Sequence, residues 1–446
     1  MTSAIAAWVV AHRRTAWLGL VVVTLVAVLF ATRIGVSFSS RDFFASSDSG
    51  SAAVTVLDEL GERWGTDDAT LLVLATAEDE LRTPAGLAAL SRVSTAVSAI
   101  ASVQHAFSIA ALGSGPAAEA ALWSYPVVPA LISADGSKTV IVVQLSESSD
   151  DLAAVIPTVE AVQSVLAGLD GVGGLHLTAA GVPAVRAAFF SLAVMDQIVL
   201  GPLVALVVAV MLWLSFRRLH AVIVPMVAAG LPLLWLLGAM AAADEPIGLL
   251  NQAYFTLLPV IAIADAVHWV SRVHEELRRT PNDRDAAIVR AASGVGVACT
   301  LTSLTTAAGF LSLLIVDVEM LRRFGGWAAV GVALSWGSVL IVVPLMMGHA
   351  RRDGGPTGSR VARVVAQWSV THPRVVAFLG LAIIAGAGVG SGSLPVDNRL
   401  GALLPVEHPV QRASMTIDKE LGGIVSLAVQ FSGAGATASH LAPFVV

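Results

Sequence analysis

Seven stretches of this chain stay apolar long enough to cross about 30 Å of hydrocarbon, and this limits the fold more than anything else in the sequence. They run roughly Thr15–Thr32, Ile198–Phe216, Ala221–Ala243, Leu249–Val270, Ala291–Val316, Gly326–Met347 and Val375–Val389. A chain in lipid must satisfy its own backbone N–H and C=O groups, so each block is expected as a helix. Composition agrees. Hydrophobic residues are 56% of the 446 and charged ones 13%, with a mean hydropathy of +0.80. A soluble chain would carry roughly a quarter charged residues. Arg13 and Arg14 precede the first block as they would in a signal peptide, but its apolar core is too long and no small-x-small cleavage site follows. An uncleaved anchor is expected, in a multi-pass protein whose first partner is the lipid bilayer.

The net charge of −6, with no basic tail or stripe, argues against nucleic acid as a partner. The single cysteine, Cys299, supports neither a disulfide framework nor a cysteine-based zinc site. Short segments on one side of the apolar blocks hold fourteen of the 26 basic residues, from Arg13 and Arg14 through Arg217, Arg218 and Arg272 to Arg351, Arg352 and Arg374. By the positive-inside bias that side is cytoplasmic. The N-terminus is then inside, and the long connection between the first two spans is extracytoplasmic.

That connection is too long for a structureless loop. Thr70–Thr76 reads as a buried strand, and Pro84 opens a helix to about Ile100. Val103–Ile109 and Thr139–Leu145 read as strands, Asp150 and Asp151 cap a helix to Leu169, and Gly174–Ala180 closes the set. Two β-α-β units in this order predict a ferredoxin-like α+β sandwich, preceded by an amphipathic helix over Ser51–Trp64. No nucleophile–base pair or metal-ligand spacing appears in it, and His105 and His176 are isolated.

A shift of 360 residues brings two segments into register. Val10-Ala11-His12-Arg13-Arg14 meets Val370-Thr371-His372-Pro373-Arg374, each followed by an apolar block. Gly35-Val36-Ser37 then meets Pro395-Val396-Asp397, Phe43-Phe44 meets Leu403-Leu404, and Asp58 meets Asp418. On this register Val446 corresponds to Gly86, so a second domain of the same kind stops after its first strand. The chain is expected to be the first half of a repeated protein, completed by a C-terminal half or an oligomer partner.

Asp265 is the one acidic residue deep inside any of the seven blocks. A charged side chain at mid-bilayer costs about 2.5–3.5 kcal/mol even on lenient scales, so it is expected to face the helix bundle and work there. His268 follows at i+3, on the same face and about 4.5 Å along the axis at 1.5 Å per residue. Carboxylate and imidazole stacked in this way suit a proton relay, with protons as coupling ion and no other cofactor. The fifth block supplies Thr300, Thr302, Ser303, Thr305 and Thr306 with Gly294, Gly296 and Gly309. Small residues let helices approach closely, and hydroxyls bond a neighbour's carboxyl or their own helix's carbonyls. Thr302 and Thr306 share one face and are expected, with Ser303, to form the polar face supporting Asp265.

One span, a folded outer domain, five more spans and the same order again resembles the resistance–nodulation–division superfamily. Its branches include the mycobacterial membrane protein large transporters, the hopanoid exporters and Patched. Ile263-Ala264-Asp265-Ala266-Val267-His268, followed by Glu275-Glu276-Leu277, resembles their fourth span, and Leu301–Ser312 resembles their fifth closely. The resemblance implies an inner-membrane secondary transporter rather than an enzyme, with Asp265 carrying protons. Many mycobacterial-type members have Asp-Tyr here and others Asp-Asp, where this chain has Asp265-Ala266. One sandwich per repeat matches the lipid-exporting branch, so a hydrophobic or lipid-like substrate is expected. A lipid sensor of the Patched kind, a protein-secretion accessory and an inactive truncation are the alternatives. The implied layout is a mainly α membrane protein. Residues 1–32 carry the cytoplasmic N-terminus and first span, 33–195 an extracytoplasmic porter-like domain, and 196–348 spans two to six. Residues 349–374 form a cytoplasmic linker, 375–392 the seventh span and 393–446 the start of a second outer domain.

Overall fold

The computed structural model describes residues 1–37, 67–78, 80–112, 131–146, 152–248, 250–280, 282–348, 360–391 and 404–423. The expected helix over 51–64, the caps Asp150 and Asp151, the segment 395–397, and Phe43, Phe44, Asp58 and Leu403 lie outside them. The chain divides into two compact units, Met1–Gly35 with Asp196–Val396 and Val36–Met195 with Asp397–Val446.

The first unit is helical. It contains α1 (Thr2–Ala11), α2 (Arg13–Ala31) and most of α5 (Val182–Phe216). It continues with α6 (His220–Ala242), α7 (Tyr254–Arg279), α8 (Arg284–Leu311), α9 (Glu319–Met347), α10 (Arg360–Thr371) and α11 (Pro373–Ser391). Helices apolar on every side must be covered by protein or by lipid. α6 and α9 are covered by protein: they lie against each other, with α7 against both, α2 along α6 and α8 along α7 and α9. Ser338 Oγ donates to the Ala228 carbonyl at 3.0 Å and the Trp235 indole N–H to Thr24 Oγ1 at 3.1 Å, tying α9 to α6 and α6 to α2. α5 and α11 leave most of their apolar side chains on the outside. Asp283 caps α8 by accepting the Ala286 N–H at 2.9 Å, the arrangement an exposed helix start favours.

The second unit holds β1 (Thr70–Ala77), α3 (Pro84–Ser98), β2 (Val103–Phe107), β3 (Lys138–Leu145), α4 (Leu152–Leu169) and β4 (Leu175–Ala180). The strands form one antiparallel sheet in the order β2-β3-β1-β4, with Val73 opposite Ile141 and Ala179. This is the β-α-β-β-α-β topology that the strand and helix pattern predicts. Alternation along β1 explains its two faces. Leu71, Val73 and Ala75 pack with Leu90 and Val93 of α3 and with Val155, Val159 and Val162 of α4. Leu72 and Leu74 face the other way and are covered by Ala413 and Ile417 of α12 (Pro409–Glu420), a helix more than 200 positions further along the chain.

Two boundaries differ from the sequence expectation. Among the described residues eight helices are long and apolar enough to cross a membrane, and the additional one is α4. Its Val155-Val159-Val162-Leu166 stripe is buried in the sheet's core, so its hydropathy serves packing within the second unit. The second span begins within α5, whose helix starts at Val182 rather than Ile198, immediately after Gly181 at φ +88°. A helix running unbroken out of a folded domain shows no hydropathy edge at its true start. Two places that the 360-residue shift pairs share a local feature. Trp8 stacks on His12 and Trp368 on His372, each with ring centroids 5.4 Å apart, and each pair sits where a short helix hands over to a 19-residue apolar one.

Candidate functional site

Asp265 lies halfway along α7, 9% exposed, with its side chain turned toward α8. Ser303 Oγ donates to Asp265 Oδ2 at 3.3 Å. The Cys299 thiol, one helical turn from Ser303, lies beside the same carboxyl and against the buried Trp269. The carboxyl therefore has donors from α8 where the surroundings are otherwise apolar, the condition a buried acid needs. From the sequence, Cys299 is excluded from a disulfide or zinc role and has no assigned place at the carboxyl. Its i,i+4 relation to Ser303 is the signal that places it on the carboxyl's side.

A cavity of about 590 Å3 opens along this face. Val260, Ile261, Ala264, Val295 and Ala298 give it apolar walls, and Asp265, His268, Thr302, Ser303 and Thr306 supply the polar groups. All five residues expected from the sequence are thus brought to one cavity, with different roles. His268 is exposed to it, on the face of α7 that carries Asp265, and no hydrogen bond joins the two side chains. Thr302 Oγ1 donates to the Ala298 and Cys299 carbonyls of its own helix at 3.1 and 3.0 Å, and Thr306 Oγ1 to the Thr302 carbonyl at 2.8 Å. The expected support of Asp265 by the Thr302 and Thr306 pair is therefore corrected: Ser303 makes the contact, and the threonines line the wall.

Below His268 the helix ends in a charged cluster. Glu276 is buried and accepts from Arg272, Arg279 and Arg290 at 3.0, 3.1 and 3.2 Å. Arg290 belongs to α8, so this carboxylate pins α7 and α8 together about two turns from His268. Three guanidinium partners compensate the desolvation that a buried carboxylate otherwise suffers. Among the described residues no group of three or more His, Cys, Asp or Glu is placed to hold a metal ion.

Residues 45–377 match the family model described as the MMPL family, well over half of the chain. A membrane protein of Methanocaldococcus jannaschii is 26% identical over 174 residues, 39% of this chain and 45% of that protein. The chain thus spans under half of the curated relative it matches. An apolar helix bundle with an acid buried halfway along one of its helices, and a match running from before β1 into α11, agree: the chain belongs to the MMPL family of membrane transporters, of the resistance–nodulation–division type.

Proposed function

We propose that the whole protein is a proton-driven exporter of a hydrophobic or lipid-like molecule, with Asp265 as the group that loads and releases the proton. The observation that carries this reading is a carboxyl buried halfway along an apolar helix, beside a cavity and touched by a hydroxyl of the next helix. Such a residue is costly in a membrane and is retained where ions move. A proton falling through about 150 mV releases roughly 3.5 kcal/mol, at about 2.3 kcal/mol per 100 mV. That supports a gradient of roughly a few hundredfold, since about 1.4 kcal/mol is a factor of ten. The arginine-rich side is cytoplasmic in this reading, and the unit holding the β-sheet is the extracytoplasmic porter domain, where lipid substrate is handed on. In this reading a second unit of the same kind supplies the other wall of the ion path.

The test uses vesicles of native membrane lipid, so that a lipid substrate is present, with a pH dye trapped inside. The full gene product should dissipate an imposed proton gradient. Asp265→Asn keeps the side chain's shape but cannot titrate, and should fall to the leak of empty vesicles while inserting normally. Dissipation by Asp265→Asn at near the parental rate would return Asp265 to a structural role.

A further inference from the structure

α1 is ten residues long, too short to cross a membrane, yet one face of it is fully covered. Thr2, Ala6 and Val9, at i, i+4 and i+7, are buried, and the helix lies against α8 and α9. Thr2 Oγ1 donates to the Ala292 carbonyl of α8 at 3.1 Å. Side chains on a helix lean toward its N-terminus, so a carbonyl is screened by the residue one turn on, and here that residue is Gly296. A Cβ on Gly296 would lie 2.6 Å from Thr2 Oγ1 and 2.7 Å from Thr2 Cβ. The glycine is what lets the hydroxyl reach the backbone. Arg13, just beyond α1, pairs with Asp285, two turns before Ala292, and fastens the same helix a second time.

The same side of α8 carries the partners of Asp265. Ala292, Gly296, Cys299 and Ser303 follow at spacings of four, three and four and form one buried stripe. Its first part meets Thr2 and its last part meets Asp265, about 16 Å apart from Ala292 to Ser303 at 1.5 Å per residue. The contact at Asp265 has little slack. Ser303 Oγ stands 3.3 Å from Asp265 Oδ2, and at about 3.6 Å the hydrogen bond is gone. A Cβ on Gly296 would have to retreat from 2.6 Å to 3.0 Å, the closest that real Cβ atoms come. If α8 takes up that displacement, it exceeds the slack.

We propose that α1 is a positioning element for the Asp265 site. By seating on the carbonyl that Gly296 uncovers, Thr2 fixes the depth at which α8 presents Ser303 to the carboxyl. Its bearing on transport rests on the reading of Asp265 as proton carrier; the contact itself does not.

Dicyclohexylcarbodiimide reports on the carboxyl directly, because it is apolar and reacts with the protonated acid. The full gene product in vesicles of native lipid is treated at neutral pH, and the adduct on the α7 peptide that contains Asp265 is followed by mass spectrometry. A carboxylate that loses a donor holds its proton more firmly. Gly296→Ala should therefore speed labelling of Asp265 roughly fivefold, the worth of one net hydrogen bond. Adding Thr2→Gly removes the atoms that the new Cβ meets, and should return the rate to within about twofold of the parent. Gly309→Ala, on the same helix with nothing within 4 Å of the added atom, controls for helix stiffening and should leave the rate unchanged. In a Ser303→Ala background Gly296→Ala should add nothing further, which a general loosening of the bundle would not reproduce. If Gly296→Ala inserts poorly, Thr2→Leu crowds the seam from the α1 side and should give the same acceleration. Equal labelling of the parent, Gly296→Ala and Thr2→Leu overturns the proposal, as does an acceleration that Thr2→Gly fails to reverse. The two readings fail separately. If Asp265→Asn dissipates a proton gradient like the parent while labelling follows the seam, coupling alone is refuted. If dissipation requires Asp265 and labelling ignores the seam, positioning alone is refuted.

Discussion

A hydroxyl inside a membrane helix has two competing acceptors, a carbonyl one turn back and a polar group on a neighbour, and α8 shows both outcomes within five residues. Thr302 and Thr306 bond their own backbone, while Ser303 reaches Asp265. One net hydrogen bond contributes about 1 kcal/mol, so Ser303→Ala should slow proton dissipation by roughly fivefold. Thr302→Val and Thr306→Val leave that bond in place and should stay within about twofold, read with the same trapped dye. Asp265 itself was legible, because an acid in an apolar run is conspicuous. The identity of its partner was not. Successive residues turn by about 100° on a helix of 3.6 residues per turn, so choosing Ser303 over Thr302 requires the rotation of α8 about its own axis. That rotation is set by what α8 packs against, including Thr2 of α1 bonding the Ala292 carbonyl at 3.1 Å, and not by α8's own residues.

At the scale of elements, closeness between helices is decided by single positions. A Cβ on Gly238 of α6 would lie 2.6 Å from the Cα and carbonyl oxygen of Ala27 in α2, both fixed backbone atoms. Gly238→Ala must therefore spread the two helices, and overpacking of this kind costs about 1–3 kcal/mol. Gly230, two turns earlier on α6, has nothing within 4 Å of the same added atom. Gly230→Ala should gain about 0.5–1 kcal/mol from lost backbone freedom in the unfolded chain. Thermal midpoints of the purified protein in detergent should move in opposite directions for the two variants, and a shared direction would contradict the seam. The β-α-β-β-α-β order was readable because β3 is a run of β-branched residues, β1 is an apolar run, and helix-start and turn residues such as Pro84 and Gly174 separate the elements. The cover on the sheet's second face was not, since α12 arrives from residues 409–420 and nothing local to β1 announces it.

For the whole molecule, the arginine count makes a sidedness prediction. A reporter fused after Gly136 should read extracytoplasmic and one fused after Arg284 cytoplasmic; exchanged signals would invert the proposed arrangement of both units. The seven blocks were legible because lipid forces every spanning segment to declare itself by hydropathy. The rule has a blind spot, and α4 falls into it. Its mean hydropathy of 1.6 equals that of the candidate spans Leu250–Arg279 and Arg284–Ile315, although its stripe of valines belongs to the sheet. During synthesis α4 leaves the ribosome before β4 exists, so the translocon meets it without the sheet edge that later shelters it. If α4 partitioned sideways into the bilayer, each later segment would be threaded the wrong way up, inverting the proposed sidedness of the bundle. Glu160, exposed near the middle of α4, opposes this, because a charge at a helix centre costs the inserting machinery about 2.5–3.5 kcal/mol. Glu160→Leu should divide the Arg284 reporter between the two sides of the membrane. On this view an acidic residue outside the helix bundle decides, before folding is complete, which way the later spans face.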